Sequence, residues 1–188
     1  MKYPNNFVDA IVSLYKLTKT SEFSKYDELK TIIAAQWCLE CSWGSSRLAK
    51  FFNNFGGMKY REKIGDNIDI SKIGLLDWNK ELDFYFSLKN ASDYPILYFE
   101  FIQRSRYKDI LLNSNYDFLH TLAKAGYVAK MPCGNGKIIT GEKLPDFYAN
   151  KIIRLSKTKT FRELEKKVLK IIEETDKPKW LNLDFIEW

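Results

Sequence analysis

The segment 29–39 carries Leu29, Ile32, Ile33, Ala34, Ala35, Trp37, Cys38 and Leu39, apolar at nearly every turn of a helix. A helix without a polar face has to be enclosed on all sides, so the other elements must pack around this one. An acid, Glu40, follows at once. A carboxyl at the end of an apolar helix loses solvation of its charged form, which raises its pKa. A carboxylic acid that keeps its proton near neutral pH is the donor that cleavage of a glycosidic bond requires.

The remaining elements can be read around that axis. Residues 5–18 place Phe7, Ile11, Leu14 and Tyr15 on one helical face. Ser24, with Asp27 in the first turn, predicts the N-cap of the central helix. Gly44 and two serines end that helix, and a short one through Leu48 and Phe52 follows. From 56 to 90 the pattern changes. Gly56-Gly57, Gly65-Asp66 and Asp77-Trp78-Asn79-Lys80 are turn signals, and the runs 68–70 and 82–86 between them predict a small antiparallel sheet or hairpin. Helical spacing returns in 92–103, in 115–124 with Gly126 as its stop, and in a helix begun by Pro145. Residues 130–143 read as a loop containing glycine and lysine. Thr160 predicts the cap of a last amphipathic helix with Phe161, Leu164, Val168, Ile171 and Ile172 inward. The expectation is a mainly helical α+β fold. A small β-lobe over about 56–90 is inserted between helical halves, and the cleft between the lobes suits a long polymer.

At 188 residues the chain suits one domain. Its net charge of +6 favours an anionic partner, but thirty Lys and Arg against twenty-four Asp and Glu are spread along the sequence without a basic block. Nucleic acid is therefore not expected. No stretch is long and apolar enough to span a membrane. The opening 1–6 lacks the apolar run and cleavage site of a signal peptide. Cys38 and Cys41 flank Glu40 within a helix and read as core-filling side chains, and the odd total of three argues against a disulfide framework. The one histidine, His120, lies far from them, reads as a packing or surface residue, and implies neither metal nor cofactor.

The run Ala35-Gln36-Trp37-Cys38-Leu39-Glu40-Cys41-Ser42-Trp43-Gly44-Ser45-Ser46-Arg47-Leu48-Ala49 resembles the A-Q-x-x-L-E-S-G-W-G-x-S-x-L-A signature of glycoside hydrolase family 73, the peptidoglycan β-N-acetylglucosaminidases of autolysins, flagellar rods and phage lysins. The resemblance continues through Asn53-Asn54-Phe55-Gly56-Gly57-Met58-Lys59-Tyr60-Arg61, then in 98–107, 122–127 and 147–153, in order from about residue 5 to 155. It implies a lysozyme-like fold with a catalytic unit over 1–157. Residues 158–188 are left as a helix and an aromatic tail packed on that unit. It implies Glu40 as general acid on peptidoglycan strands; the chain is expected to act as a monomer. The second carboxylate of such a site lies in the β-lobe, where Asp77 falls nearest the family position and Glu81 and Asp83 are alternatives. An acid that the family usually carries before Asp93 is absent, with Lys89, Asn90, Ala91 and Ser92 in that stretch. The substrate's own acetamido group is then a second candidate nucleophile. Asp93 reads as a tie between β-lobe and helices.

Tyr127 matches the family tyrosine that faces the cleft, where its hydroxyl would orient a water or the acetamido group. Tyr148 matches a second tyrosine, a substrate contact or a structural residue. Trp43, Asn54, Phe55 and Tyr60 would line the cleft. The 130–143 loop is longer than the family's link and reads as a solvated loop or as a border of the cleft that favours an anionic glycan. With no leader visible in this sequence, the chain is expected either to be made in the cytoplasm and reach the wall or periplasm by release or export, with a delivery partner, or to be the core of a longer secreted protein. The rival readings are a muramidase or lytic transglycosylase on the same fold, and a wall-glycan-binding module that has lost catalysis.

Overall fold

The computed structural model describes residues 3–76, 81–133 and 137–176. Helix α2 (Lys30–Glu40) buries every residue from Ile32 to Cys38, as a helix without a polar face must. Helix α1 (Asn5–Leu17) covers it with Phe7, Ile11, Leu14 and Tyr15. Helix α4 (Tyr94–Ile102) adds an aromatic wall, in which Trp37 meets Tyr94 and Tyr98 edge-on with ring centroids 4.8 and 5.4 Å apart. Ser24 is not the N-cap of α2. Its hydroxyl donates to the Ser21 carbonyl, and 24–29 form a 3₁₀ segment that feeds directly into the helix. A run that continues straight into α2 leaves no free first turn for Ser24 to cap.

The β-lobe is an antiparallel hairpin of β1 (Ile70–Leu76) and β2 (Leu82–Leu88), in register Ile70 with Leu88 and Ile73 with Tyr85. Residues 58–60 extend it. Phe86 N donates to Met58 O and Tyr60 N to Phe84 O, at 3.2 and 2.8 Å. Asn54 ties this lobe to the end of α3 (Arg47–Phe52). It is fully buried, accepts from Met58 N at 2.8 Å, and donates to Met58 O and Phe86 O at 2.9 and 3.1 Å.

Helix α5 (Asn115–Lys124), capped by Ser114, packs on α6 (Leu144–Ser156). The link between them is not simply a loop. β3 (Met131–Pro132) pairs with β4 (Ile138–Ile139), anchored by the buried Met131. Two-residue strands are too short to show a period-2 pattern. Helix α7 (Lys159–Asp176) buries Phe161, Leu164 and Val168 as predicted. Its N-terminal cap is Thr158 rather than Thr160, for the Thr158 hydroxyl accepts from Phe161 N at 3.3 Å. Glu165 accepts from both Tyr15 and Thr31 hydroxyls at 2.9 Å, which joins α7 to α1 and α2 in one core. The aromatic tail lies outside the described residues. Among those described, no helix is long and apolar enough to cross a membrane. The architecture is mainly helical α+β with a small β-lobe, as the sequence predicts.

Candidate active site

The chain reverses direction immediately after Glu40. Ser42, Trp43 and Gly44 are all left-handed, with φ of 50°, 59° and 80°. For the two non-glycine residues this costs roughly 1–2 kcal/mol each. Local bonds offset it: Trp43 N donates to Cys38 O at 2.9 Å, Gly44 N to Cys41 Sγ at 3.0 Å, and Ser45 Oγ to Ser42 O at 2.6 Å. Glycine is required at 44, because a Cβ there would lie 2.8 Å from Phe7 Cβ. The turn thus ends α2 with Glu40 as its last residue.

Glu40 Oε1 accepts a hydrogen bond from Tyr148 OH at 2.7 Å. Tyr148 in turn accepts from Gln36 Nε2 at 2.8 Å, and Gln36 Oε1 accepts from Tyr98 OH at 2.6 Å. Gln36 stands one turn before Glu40 on α2, so both point to the same side. Gln36, Tyr98 and Tyr148 are all fully buried. The direction of this chain is fixed by donor inventory. Tyr148 has one hydroxyl proton and gives it to the carboxylate, so it must accept from the amide.

Burial raises the pKa of Glu40, while the Tyr148 hydrogen bond and the Lys151 cation oppose that rise. The carboxyl remains half-buried rather than sealed. Two more phenols stand within electrostatic reach of it, Tyr94 and Tyr127. Burial holds both well above the ordinary tyrosine range, so they act as neutral donors. Among the described residues neither hydroxyl has a hydrogen-bond partner, and the Gly56 N–H approaches the Tyr94 oxygen without hydrogen-bond geometry. Gly56 makes room for both: a Cβ there would lie 2.5 Å from Tyr94 OH and 2.6 Å from Tyr127 OH.

The structure therefore brings Glu40, Tyr127 and Tyr148 together. Trp43 is half-buried beside Tyr3, with centroids 6.0 Å apart. Tyr60 lies in the β-lobe against Phe86, with Lys72 Nζ 5.4 Å from its ring centre. Asn54 and Phe55 hold the frame. Asn54 spends its amide on backbone, and Phe55 is fully buried between Phe7 and Tyr94, leaving no face for a sugar. Asp77 lies outside the described residues. Glu81 is exposed just before the second hairpin strand, Asp83 pairs with Lys59 at 2.7 Å, and Asp93 accepts from Asn90 at 3.2 Å. Cys38 and Cys41 are buried, and burial pushes the Cys41 thiol up to about 12. His120 stacks on Tyr116 with its Nε2 3.6 Å from Asp146. Among the described residues no group of three or more His, Cys, Asp or Glu could hold a metal.

Sequence reasoning assigned no role to Gln36, Tyr94, Tyr98 or Lys151. For Gln36 a signal existed, since it is a lone amide in an otherwise apolar helix, one turn from the acid.

A family model described as glucosaminidase, mannosyl-glycoprotein endo-beta-N-acetylglucosaminidase, matches residues 18–161. That span contains Gln36, Glu40, Tyr127 and Tyr148. The fold is similar to a peptidoglycan hydrolase from Sphingomonas sp. A1, with TM-score 0.57 at 15% identity, covering 88% of this chain and 95% of that one. A mutant of a peptidoglycan hydrolase from the same organism gives TM-score 0.55 at 15% identity, covering 87% and 99%. No curated protein matches the sequence.

Proposed function

The chain belongs to the glucosaminidase family, and we propose that it hydrolyses the β-1,4 bond after N-acetylglucosamine in peptidoglycan, with Glu40 as the general acid. The observation that carries this reading is the half-buried Glu40 carboxyl at the end of a one-way hydrogen-bond chain from Tyr98 through Gln36 and Tyr148. Burial favours the protonated form of Glu40, the form a general acid needs. As the bond between C1 and the leaving oxygen breaks, Glu40 passes that proton to the oxygen. The carboxylate left behind is then stabilised by the Tyr148 hydroxyl and the Lys151 charge, groups already in place before the reaction. Water supplies hydroxyl to C1, and its proton leaves to a base.

Tyr127, a neutral donor beside Glu40, orients either that water or the acetamido oxygen. Asp77 is the candidate second carboxylate, with the substrate's acetamido group as its alternative. Asp83 is less suited, because its carboxylate is already paired with Lys59. Peptidoglycan as substrate is supported by the fold shared with the Sphingomonas hydrolase and by the net charge of +6, which suits an anionic wall polymer. Action on the wall follows release or export through a delivery partner.

The test is mass spectrometry of fragments from purified peptidoglycan digested with the protein. New reducing ends on N-acetylglucosamine are expected. Reducing or anhydro ends on N-acetylmuramic acid would overturn the bond assignment in favour of a muramidase or a lytic transglycosylase.

A further inference from the structure

One side of α6 carries Lys143 just before its start, then Phe147, Asn150, Lys151 and Arg154, spaced to share a helical stripe. The β3–β4 hairpin stands opposite, contributing Ile139, and the two enclose a groove of about 560 Å³. Lys151 Nζ donates to Pro132 O at 3.1 Å and so fastens the hairpin to the helix. Three cations face this groove against one acid, Asp146. Asp146 is already engaged, accepting from the Tyr116 hydroxyl with His120 beside it. Among the described residues, neither Lys143 nor Arg154 has an ion pair or a side-chain hydrogen bond. The floor is apolar, formed by Phe147 and Ile139, with Lys151 Nζ 5.7 Å from the Phe147 ring centre.

The groove also adjoins the acid. Lys151 lines it, follows Tyr148 by less than one helical turn, and its charge is felt at Glu40. A polymer whose scissile bond lies at Glu40 therefore runs past a basic channel with a greasy base. The matching substituent is acidic and partly aliphatic, and it branches from the glycan. In peptidoglycan that substituent is the stem peptide on N-acetylmuramic acid, with its several free carboxylates and alanine methyls.

We infer that the groove between α6 and the β3–β4 hairpin is a subsite for the carboxylates of the stem peptide, with Arg154 and Lys143 as its specificity-determining residues. The inference rests on the peptidoglycan reading above. Arg154 offers a bidentate fork to a carboxylate, while Lys143 and Lys151 act as point charges.

The test measures binding and cleavage separately. A synthetic stem peptide without sugar is titrated calorimetrically into the wild-type protein and into Lys143→Ala/Arg154→Ala. Both substitutions are on exposed side chains that touch neither Glu40 nor its hydrogen-bond chain. Wild type should bind the peptide with an affinity that falls as salt rises, and the variant should bind at least tenfold more weakly. Equal affinity for both proteins, no binding by wild type, or tighter binding of an oligo(glycerol phosphate) than of the peptide would overturn the inference; the last would point to a phosphodiester polymer. In parallel, the variant should lose at least tenfold in kcat/KM on stem-bearing peptidoglycan and little on the same glycan stripped of stems by an amidase. Equal losses on both would also overturn it. Failure of wild type to cut either glycan, with stem binding intact, would instead count against the hydrolase reading alone.

Discussion

Gln36→Leu is the substitution that most sharply probes the buried hydrogen-bond chain. Leucine matches the size of the glutamine side chain but removes both its donor and its acceptor. Tyr98 OH then loses its acceptor at 2.6 Å, and Tyr148 loses the donor at 2.8 Å while keeping its bond to Glu40. One buried hydroxyl left without an acceptor costs about 1–3 kcal/mol, and one lost bond about 1 kcal/mol, so the variant should be destabilised by about 2–4 kcal/mol. For a chain of this size that lowers Tm by about 5–15 °C. Thermal unfolding followed by circular dichroism reads it directly. Tyr98→Phe alone strands the other side of the same bond and should cost a similar amount. The double variant removes both partners, so it should be more stable than the sum of the two losses by about 1–3 kcal/mol. A cycle that adds within about 0.5 kcal/mol would refute the chain as a coupled unit. In activity, Gln36→Leu should lower kcat more than it raises KM, because it loosens Tyr148 against Glu40 rather than touching substrate.

Tyr148→Phe removes the donor that favours ionised Glu40, so the Glu40 pKa rises further and the protonated acid persists to higher pH. The alkaline limb of the kcat/KM profile should move up, and a downward move would contradict the assigned hydrogen bond. Gly56→Ala would set a methyl 2.5 Å from Tyr94 OH and 2.6 Å from Tyr127 OH. Hydrolysis should fall at least tenfold while the fold is retained, and full activity would argue against a role for Tyr127. Asp27 bonds to Lys19 and Lys30 at 2.8 and 2.7 Å, and these hold its pKa at about 2 against an ordinary 3.8. The unfolded chain therefore binds more protons than the folded one between those values. The stabilisation is complete above about pH 4 and fades toward pH 2, by about 1 kcal/mol after allowance for solvent screening. Asp27→Asn should flatten that part of the acid-stability curve.

How much of this was legible in the sequence depended on the range of the interaction. Helix α2 was legible because every turn is apolar, a pattern that admits only burial. The large hairpin was legible from its turn signals and the run 82–86, but its first strand, read at 68–70, lies at Ile70–Leu76, where Gly74 and two exposed polar residues blur the alternation; β3 and β4 have two residues each and no period to display. The N-terminal boundaries of α2 and α7 were misplaced because Ser24 and Thr160 are suitable capping residues, and only backbone geometry distinguishes them from the residues that actually begin each helix. Glu40 stood out because an acid terminates an apolar run, and Tyr127 and Tyr148 came with the family motif. The chain linking Gln36 to Tyr98 and Tyr148 spans 62 and 112 residues of sequence, and no local pattern encodes it. Phe55 shows the opposite problem. An aromatic beside a glycine turn reads the same whether it faces a sugar or the core, and here Phe55 is fully buried against Phe7 and Tyr94.

The proposed catalysis turns on Glu40 delivering a proton to the leaving oxygen. The most direct measurement compares Glu40→Gln with wild type on two substrates: peptidoglycan, whose leaving alcohol needs protonation, and an N-acetylglucosamine oligomer with a dinitrophenyl leaving group, which does not. Loss of a general acid should cost about 10²–10⁴-fold on peptidoglycan and far less on the activated glycoside. Equal losses on both substrates, or peptidoglycan cleavage by Glu40→Gln at the wild-type rate, would contradict it.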